Sequence, residues 1–582
     1  MSNATLADKF VYTINNVDTV AHVTLNNTGI TVCDGKGLHS YRVKHIHLSD
    51  IIGVKVHGSA KDSVYLVIHY FPLVKNRFNG KVQRCRKQAV LSAFQHHTAA
   101  GNIKQCMQWK RSISLIIHGL ENPDDANSKP KKRIFLAFVN PKGGKGMAKK
   151  IWLNTVKPVL DLAGIVSEVV YTEYSGHASD YVKNSCDLYK YSSILTVSGD
   201  GIIFEVINGL MKREDFADAI RIPLAIIPGG SGNGLCAAIL HQSGVPVTLM
   251  DAVFIAVRGI STPMDLVKVE QRETIMWSFL SICWGFLSAM DIESEKMRWM
   301  GEARFTVQAI KQMLNYPIKS GKLWFVPLDE QDSIQEKPQL APKSAPLKRQ
   351  ISKDPVRVTQ PTVFSETLNE EDENDEEEDG DDLDPSFDFT SLNDTDMEDS
   401  LDLDQKVLIS DRTRILSDTI QLHESDDCKC IKCHPLPIID SESLNKITES
   451  VESIGLSDEI PDSWTLIEGD FATVMSFSST HLTLGYQATH DLHLDSGFVY
   501  LMHSRRPTIK DFLQLMAQTC KPESNDSSTI HFEKVRAFRL EPEVSESGAY
   551  VTIDGELVPY EALHACIYKG LSRVLCLPAA KD

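Results

Sequence analysis

Residues 134–146 read IFLAFVNPKGGKG. The continuous apolar run Ile134 to Val139 is short and ends on turn residues, which marks a strand buried on both faces. It passes directly into Asn140-Pro141-Lys142-Gly143-Gly144-Lys145-Gly146 and then into a stretch where Leu153, Val156, Leu160 and Ala163 fall on one helix face. The same order of strand, glycine turn and helix recurs twice. Ser193 to Val197 leads into Ser198-Gly199-Asp200-Gly201, and Leu224 to Ile227 leads into Pro228-Gly229-Gly230-Ser231-Gly232-Asn233-Gly234. Val166 to Tyr171 is a further short apolar strand. Short buried strands alternating with helices imply a parallel α/β domain with helices on both faces of its sheet, here assigned to residues 131–262.

Glycines let the backbone approach phosphate oxygens, and a helix N-terminus adds unpaired N–H donors and the positive end of a dipole. The first turn is neither a P-loop, because no Gly precedes a Gly-Lys-Ser/Thr triplet at the required spacing, nor a dinucleotide G-x-G-x-x-G. Alone it is weak evidence, reading equally as a phosphate site or a plain tight turn. In the second turn Asp200 stands between two glycines beside a candidate phosphate site. It is either a turn Asp bonded to nearby amides, a base for an attacking hydroxyl, or a ligand for Mg²⁺. Three such turns at one end of a parallel sheet build one cleft, where open α/β sheets place ligands.

Working outward, residues 1–125 read as a strand-rich module, with a β-branched and aromatic run at Val64 to Ile68 and a helix near Asn102 to Met107. Strands followed by one helix suggest a small β-sandwich capped by a helix, like a pleckstrin-homology module. Six basic residues lie between Lys75 and Lys87; they are a solvated loop or a contact for an anionic membrane surface. Lys129 to Arg133 is a linker or a nuclear-localisation run. After Met264 the pattern returns to β: Met264 to Val269 and Glu273 to Cys283 read as strands, and strands resume from Ser463 to about Leu557. An antiparallel β-sandwich domain, 263–330 and 461–582, is expected, with residues 331–460 inserted into it. Between Glu370 and Asp384, 12 of 15 residues are acidic, a composition that cannot bury enough apolar surface to order itself.

The net charge of −18 belongs to that insertion: residues 366–404 hold 20 acids and no Lys or Arg, leaving 58 acids against 60 bases elsewhere. Nothing in this balance points to nucleic acid. Twelve scattered cysteines show no disulfide framework, which suits a reducing, cytoplasmic compartment. The first ten residues are not a signal peptide, and no apolar run reaches the ~18 residues of a membrane span. The nearest, Met276 to Met290, includes two Trp, a Gly and three Ser.

FVNPKGGKG, SGDGIIFEVINGL and IPGGSGNGL, in this order and spacing, resemble the diacylglycerol kinase catalytic superfamily. CWGFLSAMDIESEKMRWMGEARFTV (283–307), AFRLEP (537–542) and VTIDGEL (551–557) narrow the resemblance to sphingosine kinases. It covers roughly Arg133 to Leu328 and Trp464 onward. The resemblance implies an ATP- and Mg²⁺-dependent enzyme acting on the primary hydroxyl of a sphingoid base, associated peripherally with membranes. It makes Asp200 the general base and places Asn140, Gly143, Gly144, Thr172, Ser198, Gly199, Glu205, Gly230 and Ser231 around the nucleotide. Arg298 and Arg304 would hold its phosphates, Asp554 would support Mg²⁺ with Glu556 near the nucleotide, and Asp291 would meet the polar head of the base. A sphingoid base carries a protonated amine, for which a carboxylate supplies a charge-assisted hydrogen bond. Gly229 departs from the Ala that some members carry there.

Two rivals share the phosphate cleft: a ceramide or diacylglycerol kinase, and a lipid-binding scaffold without catalysis. DIESEK argues against the first, and the joint presence of Asp200, both arginines and Asp554 against the second. Met276 to Leu287 and Phe512 to Met516 would line an apolar tail pocket or be ordinary core. Cys428, Cys430, Cys433 and His434 are exposed thiols or a zinc set. Arg349-Gln350-Ile351-Ser352 presents Ser352 to another kinase.

Overall fold

The computed structural model describes residues 6–14, 17–35, 41–58, 63–76, 80–96, 98–117, 132–143, 146–230, 232–294, 318–328, 454–505, 507–508, 510–511, 522, 529–543 and 550–578, which belong to one compact unit. Lys129 to Lys131, Ser352, Cys428 to His434, Phe512 to Met516 and the insertion up to residue 453 lie outside them.

The N-terminal strands are β1 (Leu6–Ile14), β2 (Val17–Leu25), β3 (Gly29–Gly35), β4 (Tyr41–His47), β5 (Ile51–Gly58), β6 (Val64–Tyr70), β7 (Leu73–Lys75), β8 (Val82–Arg84) and β9 (Lys87–Ala93). Seven of them hydrogen-bond as one antiparallel sheet, β4-β3-β2-β1-β9-β6-β5, and β7 pairs with β8 alone. Alternation along each strand puts Phe10, Val23, Ile30, Ile46, Leu66 and Leu91 on one face. Helix α1 (Ala99–Ile117), longer at both ends than the sequence suggests, covers it with Cys106, Trp109 and Ile113. Trp109 stands edge-on to Phe10 at 5.4 Å, and its indole N–H donates to Asp8 Oδ2 at 2.7 Å.

Of the six basic residues between Lys75 and Lys87, Arg84 is not on the surface. It is buried, ion-paired to Asp50 at 3.2 Å and to the fully buried Asp251 at 3.1 Å, and lies 3.6 Å over the Phe254 ring. Asp251 and Phe254 sit on a helix of the next layer, so this cation joins the two layers rather than meeting a membrane.

The parallel strands are β10 (Ile134–Val139), β11 (Val166–Tyr171), β12 (Ser193–Ser198) and β13 (Leu224–Pro228), ordered β11-β10-β12-β13. β11 is the edge, so Val166 and Val169 are exposed rather than buried. The helix after β10 also departs from the sequence reading. A π turn at Trp152–Val156 separates α2 (Ala148–Ile151) from α3 (Lys157–Leu162). Its wider spacing moves the buried face to Trp152, Val156, Val159 and Leu160 and leaves Leu153 out. The remaining helices are α4 (His177–Asn184), α5 (Asp200–Met211), α6 (Phe216–Ala219), α7 (Gly234–Gln242), α8 (Leu249–Arg258) and α9 (Phe286–Ser294).

The two expected domains share one 15-stranded sheet. The later strands are β14 (Ile260–Glu270), β15 (Ile275–Ser278), β16 (Ser281–Gly285), β17 (Lys319–Pro327), β18 (Thr465–Phe471), β19 (Thr473–Phe477), β20 (Val499–Ser504), β21 (Ile530–Pro542), β22 (Val551–Ile553), β23 (Glu556–Val558) and β24 (Leu563–Cys576). β24 pairs antiparallel with β14 along almost its whole length and with β21 at its start. Near its end Val574 is the partner of Leu224 in the parallel strand β13. The expected strand Glu273 to Cys283 is two strands, broken at Phe279 and Leu280. Ile282, Trp284, Leu323, Phe471, Leu501, Phe538, Val551 and Leu563 form the core of this half. Trp284 and Ile282 are therefore core, not pocket lining.

Residues 454–460, assigned from the sequence to the insertion, are docked. Arg539 donates to the Gly455 carbonyl at 2.6 Å and to the Asp458 carbonyl at 3.2 Å, and Ile454 and Ile460 pack beside Trp464. Among the described residues every cysteine is a free thiol, and no helix is long and apolar enough to cross a membrane.

Candidate active site

In the order β11-β10-β12-β13, the connection from β10 goes to one side of the sheet and that from β12 to the other. The crevice between them is the switch point where such sheets bind ligands. Register puts the three glycine turns at one level: Val139 pairs with Val197, Val197 with Ile227, and Ser198 with Pro228. The Asn140 amide donates to the Val197 carbonyl, and the Gly229 amide to the Ser198 carbonyl at 2.9 Å. Asn140 also shapes its own turn, its Oδ1 accepting from the Lys142 amide at 3.0 Å.

The second and third turns touch. A Cβ on Gly230 would stand 2.5 Å from Gly199 Cα. Asn233, which the sequence reading passed over, holds that contact: it is buried, and its Nδ2 donates to the Gly230 carbonyl at 2.7 Å. Its place between two glycines, at the point where a helix begins, was the available signal.

Asp200 is the first residue of α5, and its Oδ2 accepts from the Gly234 amide, the first residue of α7, at 2.9 Å. Two helix N-termini, each the positive end of a dipole, thus converge on one carboxylate. Its other oxygen, Oδ1, is buried with no hydrogen-bond partner. Burial pushes this carboxyl up to about 7, with the Asp554 charge adding to the rise and the Gly234 and Leu235 amides opposing it.

Asp554 faces the same region from the turn between β22 and β23. It holds a left-handed φ of 51°, which Asp tolerates better than most residues. Oδ1 accepts from Ser278 Oγ at 2.6 Å and from the Leu280 and Ser281 amides, and Oδ2 from the Phe279 amide at 3.0 Å. This carboxylate is what breaks the expected long strand into β15 and β16. Burial pushes it up to about 6. Both its oxygens are committed to the 278–281 turn. Glu556, two residues on, lies against α5: a Cβ on Gly201 would stand 2.9 Å from its Oε1.

Thr172 is buried at the end of β11, its amide donating to the Val139 carbonyl at 3.0 Å. Glu205 points to α4, where its Oε2 accepts from the Ala178 amide at 3.0 Å. Asn140, Gly143, Ser198, Gly199, Asp200 and Gly230 are gathered by the glycine turns, with Thr172 and Glu556 beside them and Glu205 engaged one helix away. Asp291 lies on α9, its side chain outside the described residues, as are Gly144, Ser231, Arg298 and Arg304.

Residues 134–269 match the family model of the diacylglycerol kinase catalytic domain. The chain is 42% identical over 199 residues to sphingosine kinase 1 of Arabidopsis thaliana, covering 34% of this chain and 40% of that protein. It is 26% identical over 578 residues to sphingosine kinase 2 of Homo sapiens, covering 92% of this chain and 85% of that protein. With sphingoid long chain base kinase 4 of Schizosaccharomyces pombe it shares 40% identity over 174 residues, 30% of this chain and 37% of that one. The chain thus spans less than half the length of two of these three relatives. A superposition on the crystal structure of a diacylglycerol kinase from Bacillus anthracis str. Sterne gives a TM-score of 0.41 at 13% identity, over 78% of this chain and 100% of that one.

Proposed function

We propose that this chain, which carries a catalytic domain of the diacylglycerol kinase type and is a relative of the sphingosine kinases, transfers the γ-phosphoryl group of ATP to the primary hydroxyl of a sphingoid long-chain base. With sphingosine the product is sphingosine 1-phosphate. The observation that carries the reading is Asp200: a buried carboxylate with one free oxygen, pushed up to about 7 by burial, beside the glycine turns. A general base works best when its pKa lies near the working pH.

The triphosphate would lie on the glycine turns, where helix N-termini and exposed amides offset its charge. The substrate hydroxyl oxygen attacks the γ-phosphorus, the bond to the β-phosphate oxygen breaks, ADP leaves and Asp200 Oδ1 takes the hydroxyl proton. Arg298 and Arg304 are assigned to the phosphates.

Mg²⁺ on a nucleotide keeps several waters and needs only one or two protein oxygens. Asn233 Oδ1, buried without a partner beside the glycine turns, fits that requirement and would help hold it, leaving Asp200 Oδ1 for the proton. Bound there, the ion would neutralise phosphate charge. Asp554, whose Oδ2 accepts a single hydrogen bond, is assigned to support that ion, and its charge acts on Asp200.

Asp291 is assigned to the protonated amine that separates a sphingoid base from ceramide and diacylglycerol. A lipid substrate also requires the protein to work peripherally at a membrane surface. A radiolabelled-ATP assay against sphingosine, dihydrosphingosine, ceramide and diacylglycerol tests the reading. Transfer to the first two is expected; transfer to diacylglycerol alone, or to none, overturns it. Asp291→Ala is expected to raise KM for sphingosine roughly 10- to 150-fold, the loss of one charge-assisted hydrogen bond, with KM for ATP unchanged. Equal effects on both would assign Asp291 to the fold.

A further inference from the structure

Among the described residues β15 pairs with β14 alone, so one of its edges meets no strand. Asn208 of α5 takes that place. It is buried, its Oδ1 accepts from the Trp277 amide at 2.9 Å, and its Nδ2 donates to the Trp277 carbonyl at 3.0 Å and to the Phe204 carbonyl one turn back at 2.9 Å. A carboxamide that both accepts from and donates to one residue copies the pairing of a neighbouring strand. Trp277 runs directly into the 278–281 turn, whose amides hold Asp554. The Phe279 and Leu280 carbonyls of that turn go elsewhere. Ser478, the first residue after β19, donates from its Oγ to the Phe279 carbonyl at 2.9 Å and from its amide to the Leu280 carbonyl at 3.1 Å.

The same turn is where two cores meet. Phe279 and Leu280 belong to the core of the parallel domain, Ile282 and Trp284 to that of the later strands. Leu280 packs against the start of α7: a Cβ on Gly234 would stand 2.8 Å from its Cδ1, and the Gly234 amide is the one that binds Asp200. α5 begins at Asp200 and carries Asn208 about two turns further on. The turn therefore fixes Asp554 with its amides while it touches the helices that bear and bind Asp200. Phosphoryl transfer depends on positioning more than on covalent help, and groups supplied by two cores keep a fixed geometry only where the connection between them is stiff. Resting on the kinase reading above, we propose that Asn208 and Ser478 are positioning residues for the transfer, gripping the 278–281 turn from two sides so that Asp554 and Asp200 keep their mutual placement.

The test measures the turn and the reaction separately in the full chain. Asn208→Leu keeps a similar size and removes both bonds to Trp277. Ser478→Ala removes the bond to the Phe279 carbonyl, and Ser478→Thr keeps the hydroxyl. Hydrogen-exchange mass spectrometry follows the peptides over 276–284, which contain the three amides that Asp554 accepts from. In Asn208→Leu and Ser478→Ala these amides should exchange about tenfold faster, with β10 and β12 unchanged. In both variants kcat should fall roughly 10- to 100-fold, the cost of a small misplacement, with KM for sphingosine unchanged. Ser478→Thr should restore both exchange and kcat. Wild-type exchange in the two variants, faster exchange with kcat intact, or a loss that Ser478→Thr does not restore overturns the proposal. If the wild type phosphorylates no sphingoid base, the kinase reading falls, and the exchange rates alone keep or sink the hold of these residues on the turn. Asn208→Leu could unfold the chain, so each variant is melted first; Ser478, half-buried at a strand end, then decides the matter alone.

Discussion

Gly230 and Gly199 are in backbone contact: a Cβ on Gly230 would stand 2.5 Å from the Gly199 Cα and 2.6 Å from its amide nitrogen. Neither neighbour is a side chain that can swing away. Gly230→Ala must therefore push the second and third glycine turns apart. We expect turnover to fall at least tenfold, with a loss of about 1–3 kcal/mol in stability typical of overpacking. Steady-state kinetics beside a denaturant melt would show it; unchanged kcat would mean the turns do not act as one surface.

Asp200→Asn removes the proton acceptor while keeping the shape and the Gly234 hydrogen bond. Loss of a general base lowers rate by roughly 10²- to 10⁴-fold, and ATP binding by a fluorescent analogue should persist. In the wild type, the base must be ionised, so kcat/KM should fall as pH drops below about 7. Stability carries the opposite sign. This folded-state pKa is raised, so between the ordinary carboxylate value and about 7 the folded state holds a proton that the unfolded state has lost, and stability falls as pH rises through that window. The Asn variant should consequently melt no lower than wild type at pH 8. A lower melting temperature there would show that the charged form is the stabilising one.

Arg84 joins Asp50 and the fully buried Asp251. Removing one partner of a buried pair leaves the other charge uncompensated, at a cost of about 3–5 kcal/mol. Arg84→Met should be destabilising on that scale, and adding Asp251→Leu should recover much of the loss. An additive double variant would deny the coupling.

The docked segment 454–460 sets where the insertion can be cut. Deleting residues 335–452 should leave the melting temperature unchanged. Extending the cut to 458 removes the Gly455 and Asp458 carbonyls that Arg539 binds and should lower it. If both proteins melt alike, the docking contributes nothing to the fold.

Local pattern carried the parallel strands, their glycine turns and Asp200, because period and turn chemistry are written within ten residues of each feature. The positions that needed pairing information were not legible. β11 carries Ser167 and Glu168 within its apolar run, but it is its place at the sheet edge that exposes Val166 and Val169. Arg84 sits in a basic run and looks solvated until Asp251, far along the chain, is brought to it. Glu273 to Cys283 reads as one strand because the carboxylate that interrupts it, Asp554, lies some 270 residues later and nothing local announces it. Asn233 was the exception: its signal was local and went unread.

β24 has a consequence for how the molecule comes into being. Of the described strands it is the last to leave the ribosome, yet it lies between β14 and β21 at its start and reaches the parallel strand β13 near its end. Until it arrives, β14 and β21 present open edges to whatever else can pair with them. Translation therefore delivers a nearly finished sheet with a gap in its middle, and closure waits until Leu563–Cys576 has emerged. A premature stop before Leu563 would yield not a shortened enzyme but a chain with exposed strand edges, suited to chaperone capture and degradation.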